Sequence, residues 1–243
     1  MAMRELTPQE MMAAWEAGQG HSLATKALLL LSYACPELSW DSLAGLPIGE
    51  RDSRLLQLRE WAFGSELTSL ATCPACREEL ELNFTLADLR VAPPKPEEHP
   101  LILEQGDYRV EFRLLNSTDL ANLEGIEEIR THLLQRCVEG AWYRGKKRAV
   151  NRLPAKVLGA LVQGLSDADP QADVHTGLSC PECGHCWEAV FDIVSFFWEE
   201  IESWMRRTLR EVHLLASAYN WRESDILALS PWRRRYYLQM VQP

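Results

Sequence analysis

The chain has 243 residues, of which 47% are hydrophobic and 25% are charged, and this is the composition of an ordinary globular protein. Near-average numbers of glycine and proline exclude collagen-like and low-complexity chains. The longest apolar stretch, Ala27 to Cys35, is interrupted by Ser32 and is far shorter than the roughly 20 residues of a membrane-spanning helix. The first residues lack the apolar core of a secretory signal. We therefore predict a soluble, cytoplasmic protein of one or two domains.

Charge is distributed unevenly along the chain. The 35 acidic and 25 basic residues give a net charge of −10, which argues against binding of nucleic acids or anionic membranes through a broad basic surface. From Trp204 to Pro243, however, arginines outnumber acidic residues. The C-terminal region is therefore basic on an otherwise acidic chain, and arginine is well suited to protein interfaces.

The first three predicted elements are helices. Thr7 and Glu10 form a capping-box pattern at the start of a helix that glycine ends at Gly18. A second helix is predicted from Ser22 to Ala34, and a third from Gly49 to Gly64. Their apolar faces indicate packing, and none of them carries a cluster of reactive side chains.

The middle of the chain changes to the alternating pattern of β-strands. Alternation predicts one strand over Leu80–Leu86 and another over Tyr108–Leu115. Between them, residues 91–100 contain four prolines and indicate an extended linker. Helices are predicted over Leu120–Cys137, after a run of capping residues, and over Leu153–Leu165.

The C-terminal region has the strongest helical pattern. Apolar residues at spacings of three and four from Val194 to Tyr219 predict one amphipathic helix of nearly 30 residues. Asn220 follows it and tolerates the left-handed conformation of a helix exit. Two short helices come next, one within Glu223–Leu229 and one that begins with Ser230-Pro231 as cap and first position.

Two cysteine pairs carry the sharpest chemical signal. Cys73-Pro-Ala-Cys76 and Cys180-Pro-Glu-Cys183 lie 107 positions apart, and the residues that follow them align without gaps. Each pair precedes an alternating strand, as in the two knuckles of a zinc ribbon, whose four thiolates hold zinc tetrahedrally. We predict that these four cysteines hold one structural Zn²⁺ per chain, because four protein ligands leave no position for an activated water.

Two neighbouring side chains leave this ligand set open. In a looser geometry, Cys186 or His185 replaces Cys183 as the fourth ligand. A thioredoxin-like redox pair is disfavoured, because neither pair is predicted to follow a strand and open a helix. Four unbonded cysteines are the remaining alternative, and the matching contexts of the two pairs argue against it.

These elements predict an α+β protein that is predominantly helical. We divide it into a helical N-terminal region (1–64), a discontinuous zinc-ribbon β unit (65–90 and 172–193), an inserted α/β segment of linker, strand and helices (91–171), and a C-terminal helical arm with a long amphipathic helix (194–243).

No catalytic motif accompanies the cysteines. The six histidines are scattered, and the sequence contains no His-Glu-x-x-His, glycine-rich phosphate loop or nucleophile elbow. Asp167, Asp169 and Asp173 are interpreted as a solvated turn rather than as a metal or acid–base cluster. His175 is close enough in sequence to the second cysteine pair to contact a ligand. We predict that the protein is not an enzyme and has no small-molecule substrate.

Aromatic and basic side chains are concentrated near the C-terminus. Most of these rings are expected to pack the long helix against its neighbours. Tryptophan, tyrosine and arginine are also typical of hot spots in protein interfaces, and a basic aromatic helix can bind nucleic acid. The acidic remainder of the chain favours protein over nucleic acid. The predicted partner-binding surface consists of Trp221, Trp232, Arg233, Arg234, Arg235, Tyr236 and Tyr237.

Four stretches of the chain resemble the T-even-phage-type family of baseplate hub assembly chaperones, found with phage tails and related contractile injection systems. They are Leu46–Gly64, Asp169–Asp173 leading into Cys180–Gly184, Phe191–Trp198 and Glu211–Leu238. The resemblance implies a non-enzymatic assembly factor that binds a baseplate hub, spike or tube protein. Two other hypotheses stay open: a zinc-ribbon regulator that binds nucleic acid, and a permanent structural subunit of the baseplate.

Overall fold

The computed structural model describes residues 3–91, 100–121, 123 and 126–241. The chain is mixed α/β and more than half helical, and it has a long C-terminal helix, as predicted. Among the described residues, no helix combines the length and apolar character that crossing a membrane requires. The predicted linker falls almost entirely outside the described residues.

The helices and strands follow one another in the order α1 (Pro8–Ala17), α2 (Leu23–Ala34), α3 (Trp40–Ala44), α4 (Ile48–Phe63), β1 (Glu66–Thr72), β2 (Glu79–Thr85), α5 (Leu86–Leu89), β3 (Leu101–Gln105), β4 (Tyr108–Phe112), α6 (Ser117–Leu120), α7 (Ile129–Cys137), β5 (Val138–Tyr143), β6 (Lys146–Lys147), α8 (Ala155–Ala168), β7 (Val174–Ser179), β8 (Cys186–Phe191), α9 (Ile193–Tyr219), α10 (Glu223–Leu227) and α11 (Pro231–Val241).

The chain separates into two compact units. One consists of Met1–Glu37 and Val194–Pro243, and the other of Leu38–Ile193. In the described part of the first unit all regular secondary structure is helical, and the strands of the described chain belong to the second unit. The predicted division into four segments stays a prediction, although the two cysteine pairs and the segment between them do lie within one unit.

The predicted capping box at the start of α1 is confirmed. The Thr7 hydroxyl accepts a hydrogen bond from the Glu10 amide (3.2 Å), and the Glu10 carboxylate accepts one from the Thr7 amide (2.9 Å). Arg4 donates to both carboxylate oxygens of Glu10, at 2.6 and 2.8 Å. The arginine and the Thr7 amide together lower the pKa of Glu10 to about 2, because both stabilise the charged form.

The long helix α9 confirms the predicted amphipathic stripe. Its 27 residues bury one face, which is lined by Val194, Phe197, Ile201, Met205, Val212 and Leu215. Trp198 lies so close to the end of α1 that a Cβ atom on Gly18 would come within 2.2 Å of its ring. Asn220 ends α9 in the left-handed conformation, with φ of 56°. The two predicted short helices follow as α10 and α11.

A four-stranded antiparallel sheet forms the core of the second unit, with the strand order β3-β4-β5-β6. The predicted strand over Tyr108–Leu115 is confirmed as β4, although it ends at Phe112. Val110 and Phe112 face a buried cluster that includes Leu134 of α7 and Leu161 of α8. The neighbouring strands β3 and β5 were not predicted, because their apolar residues do not alternate strictly.

The predicted helix over Leu120–Cys137 is wrong as one continuous helix, because the described residues between Leu120 and Ile129 are not helical. Helix α6 ends at Leu120, and α7 begins only at Ile129. The buried carboxylate of Asp119 explains the break, because it accepts hydrogen bonds from Arg113 (2.6 and 2.9 Å) and from Arg136 (2.9 Å). In one continuous helix, residues 119 and 136 would lie about 25 Å apart, so this contact requires a turn between them.

Candidate metal centre

The first cysteine pair lies in the turn of an antiparallel hairpin. Strands β1 and β2 pair in register up to Thr72 and Glu79. The Cys73 amide then donates to the Glu78 carbonyl, and the Arg77 amide donates back to the Cys73 carbonyl, both at 2.9 Å. Arg77 has a left-handed backbone with φ of 65°. This tight turn directs two thiols to the same side of the hairpin.

The second pair repeats this arrangement. Strands β7 and β8 pair up to Ser179 and Cys186. The Cys180 amide donates to the His185 carbonyl, and the Gly184 amide donates to the Cys180 carbonyl, again both at 2.9 Å. Gly184, with φ of 71°, stands where the first hairpin has Arg77. The gapless sequence alignment therefore corresponds to two equivalent turns, although the strand that precedes each pair was not predicted.

The two turns bring the four predicted thiols together. The Sγ atoms of Cys73 and Cys183 are 3.7 Å apart, and those of Cys76 and Cys180 are 3.6 Å apart. All four sulfurs lie within 4.8 Å of one another, and none of the cysteines is in a disulfide. In a regular ZnS₄ tetrahedron with bonds of about 2.3 Å, neighbouring sulfurs are about 3.8 Å apart. The spacing of the sulfurs therefore fits one tetrahedral metal ion.

Burial divides the four cysteines into two classes. Cys73 and Cys180 are buried, whereas Cys76 and Cys183 are exposed. The buried pair packs on Leu80 of β2, beside Leu82 and Trp187. Farther from the turns, Phe84 of β2 and Phe191 of β8 meet edge to face with ring centroids 6.1 Å apart. These apolar contacts join the two hairpins beneath the thiols.

The thiols influence one another's protonation. The Cys76 amide donates to Cys73, which is the main reason that the pKa of Cys73 falls to about 6. The Glu78 amide acts to lower the pKa of Cys76, but desolvation and the neighbouring thiols raise that pKa to about 12. Four thiolates at these distances repel one another, so complete deprotonation calls for a cation among them. A tetrahedral set of four sulfur ligands suits metal ions that bind thiolate, of which Zn²⁺ is one.

Cys186 and His185, the alternative fourth ligands, lie outside the group of four sulfurs. The Cys186 thiol is 3.7 Å from the Ser179 hydroxyl and 3.7 Å from the Gly184 carbonyl oxygen. The ring of His185 stacks on Trp187 at a centroid distance of 6.0 Å. In the described part of the chain, the four predicted cysteines are the group of metal-ligating side chains that the structure brings together.

The acidic cluster near the second hairpin is a different kind of feature. The interpretation of Asp169 as part of a solvated turn is wrong, because its carboxylate accepts a hydrogen bond from the Gly49 amide at 2.9 Å. Burial raises the pKa of Asp169, in keeping with a structural role at the start of α4. Asp173 is exposed and lies 3.0 Å from Nε2 of His175.

The predicted partner-binding residues differ in exposure, and their binding of a partner stays a prediction. Arg234 is buried, with its Nε 2.6 Å from the Glu211 carboxylate, so its place in an exposed surface is corrected. Trp221 and Tyr237 are half-buried and contact each other edge to face. Trp232 and Tyr236 are exposed, as are the side chains of Arg233 and Arg235. Met240, which was not among the predicted residues, is also exposed, and its spacing of four residues from Tyr236 is the sequence signal that places it on the same face of α11.

Comparison with known proteins identifies the family. Residues 11–198 match the family model described as T4 bacteriophage base plate protein, and the matched range contains all four cysteines of the candidate metal centre. The resemblance seen in Glu211–Leu238 lies outside that range. No curated protein and no solved structure gives a significant match. Because the matched range covers well over half of its length, the chain belongs to the T4 bacteriophage base plate protein family.

Proposed function

We propose that this protein is a non-enzymatic assembly chaperone for the baseplate hub of a contractile phage tail or injection system. It binds a hub, spike or tube protein during assembly and holds one structural Zn²⁺. The observation that carries the proposal is the family match over residues 11–198. The stretches that resemble hub assembly chaperones support the finer role. In this role the protein acts in the cytoplasm, where its partners are synthesised.

The chemistry of the four-cysteine centre supports a role without catalysis. Four thiolates complete a tetrahedral coordination sphere, so no site remains at which the metal activates water or a substrate. Zn²⁺ supplies a cross-link between the two hairpins. Cys73 and Cys180 hold it from the buried side, and Cys76 and Cys183 close it from the solvent side.

This cross-link joins parts of the chain that are far apart in sequence. Residues 77–179 lie between the inner members of the two pairs, and they include the four-stranded sheet and its helices. A metal ion at this point restricts the ends of that segment, and the free energy of metal binding contributes to folding. The zinc therefore maintains the shape in which the protein meets its partner.

Deletion of the gene, followed by complementation, tests the proposed function. If the protein is an assembly chaperone, no completed baseplates form in its absence. Purified mature particles should also lack the protein. Electron microscopy of cell lysates measures the first result, and mass spectrometry of the particles measures the second. Normal baseplates in the deletion strain would refute a role in assembly. A stoichiometric amount in mature particles would instead support a permanent structural subunit.

The alternative of a regulator that binds nucleic acid predicts a different result. Such a protein is retained on duplex DNA at low salt and released as salt rises, because phosphate contacts displace counterions. We expect no retention even at about 50 mM salt, since the net charge is −10. Salt-dependent retention would favour the regulator over the chaperone.

A further inference from the structure

Helix α11 is held to the protein by one face. Its buried Arg234 forms an ion pair with Glu211 of α9, at 2.6 Å. Tyr237 meets Trp221 edge to face at a centroid distance of 4.8 Å, and Trp221 stacks on Tyr219 at 4.7 Å. The ion pair and the aromatic contacts lie on the same side of α11. Together they define which side chains of the helix point outward.

The outward face carries three large apolar side chains. Trp232, Tyr236 and Met240 are 67%, 48% and 71% exposed. At a spacing of four residues they lie within an arc of about 80°, and they extend about 12 Å along the helix. The rings of Trp232 and Tyr236 are in contact, with centroids 4.5 Å apart. We call these three residues the α11 ridge.

Positive charge borders the α11 ridge on both sides. Successive residues of a helix are rotated by about 100° around its axis. Arg233 therefore lies next to Met240 around the axis, at one edge of the α11 ridge, and Arg235 lies about 60° from Trp232 at the other edge. Both arginines are exposed. Residues 226–243 contain no acidic side chain. The outward face is therefore an apolar ridge between two cations.

We propose that the α11 ridge docks into an apolar groove bordered by carboxylates on another baseplate protein. This inference rests on the proposed function, because it specifies the partner of the chaperone. Trp232 and Tyr236 supply the kind of rings that dominate interface energetics, and the fixed helix lowers the entropic cost of ordering them. Arg233 and Arg235 form charge-assisted hydrogen bonds with the carboxylates at the edges of the groove.

Charge selects this partner over other occupants. Two ridges packed against each other would bring four exposed arginines together, and their repulsion opposes self-association. A membrane or a nucleic acid would attract these arginines but would repel the acidic remainder of the chain. A protein groove with local carboxylates binds the α11 ridge and its arginines without this electrostatic repulsion.

Site-specific cross-linking tests the identity of the partner. Tyr236 is replaced by the photoreactive residue p-benzoyl-phenylalanine in the full chain, which is expressed together with the baseplate proteins. We expect one dominant cross-link, to a baseplate protein, in a peptide that contains aspartate or glutamate. The same replacement at Trp40, which is 43% exposed on α3, is the control and should not produce that cross-link. Cross-links to a second copy, to lipid or to nucleic acid, or no specific cross-link, would each overturn the proposal.

Variants of the ridge measure its contribution. The double variant Trp232→Ala/Tyr236→Ala should bind the cross-linked partner at least about tenfold more weakly, whereas Trp40→Ala should bind normally. Arg233→Glu/Arg235→Glu should also weaken binding, whereas Arg207→Glu on α9 should not. Circular dichroism confirms that each variant is folded. Unchanged binding by either double variant would refute the proposed surface.

The deletion experiment separates this inference from the proposed function. If deletion of the gene prevents baseplate assembly but the folded ridge variants restore it fully, the docking surface is wrong and the chaperone role stands. If deletion leaves assembly intact, the chaperone role itself is wrong.

Discussion

Replacing Cys183 by serine tests the ligand set of the metal centre. Cys183 is informative because Cys186 and His185 are the alternatives to it, and because its exposed side chain can be changed without loss of the packing on Leu80. The Cys183 sulfur lies 3.7 Å from that of Cys73, close to the edge of a ZnS₄ tetrahedron. Serine is a poor zinc ligand, so the variant retains three thiolates.

The size of the effect follows from the number of ligands. If four ligands share the binding free energy of a structural zinc site about equally, the loss of one weakens binding by about two to three orders of magnitude. We expect the wild-type protein to contain about one zinc per chain. The Cys183→Ser variant should lose its zinc at a chelator concentration at which the wild-type protein retains it.

Elemental analysis after dialysis against a series of chelator concentrations measures this difference. Cys186→Ser is the matched control, because it removes an exposed thiol three positions away that lies outside the four-sulfur group. The control should retain zinc as the wild-type protein does. Loss of zinc from Cys186→Ser with retention in Cys183→Ser would show that the ligand assignment is wrong. Absence of zinc from the wild-type protein would refute the zinc centre itself.

Three further predictions concern stability, and each is measured by urea unfolding followed by circular dichroism. Asp119→Ala should lower the free energy of unfolding by about 1.5–3 kcal/mol, because it removes the charge-assisted hydrogen bonds from Arg113 and Arg136. Loss of the exposed ion pair in Asp107→Ala should cost less than about 1 kcal/mol, and equal effects would contradict this difference. Glu10→Gln should cost less than about 1 kcal/mol at neutral pH, because it removes the exposed ion pair with Arg4 while glutamine can still complete the capping box. Since the folded pKa of about 2 lies below the ordinary value of 4.5, this contribution is present above pH 4.5 and is lost as the pH falls towards 2, so a pH-independent difference would refute it. Gly18→Ala should lower the free energy of unfolding by about 1–3 kcal/mol, because its Cβ atom clashes with Trp198. Gly159→Ala, in an open helical position, should be neutral or stabilising. Unchanged stability of Gly18→Ala would refute the close approach of Trp198.

Much of the candidate site could be predicted from the sequence, because its signals are local. Two cysteines separated by two residues can hold one metal ion from a single tight turn, and two such pairs in matching contexts suffice to suggest a common metal ion. The strands that precede each pair, β1 and β7, were not predicted. Their alternation is weak, and pairing with the next strand stabilises them.

The ligand set itself depended on tertiary structure. In the sequence, the alignment of the two cysteine pairs favours Cys183, but His185 and Cys186 stay open as alternatives, since both also follow Cys180 closely. The hairpin separates them, because β8 begins at Cys186, beside Ser179 on β7, and His185 turns onto Trp187. Only the first hairpin, more than 100 residues earlier in the chain, shows which sulfur completes the tetrahedron.

The helices show the same division between local and long-range information. The sequence by itself determined where α1, α2 and α9 begin and end and where α11 begins, because capping residues and apolar periodicity act within a few residues of chain. Tertiary structure decided that α7 separates from α6, through the contact of Arg136 with Asp119. It also decided that Arg234 points inward while its neighbours point outward, because Glu211 supplies a carboxylate from another helix. Three consecutive arginines are indistinguishable in the sequence, and only the position of their partners assigns one to the interior and two to the surface.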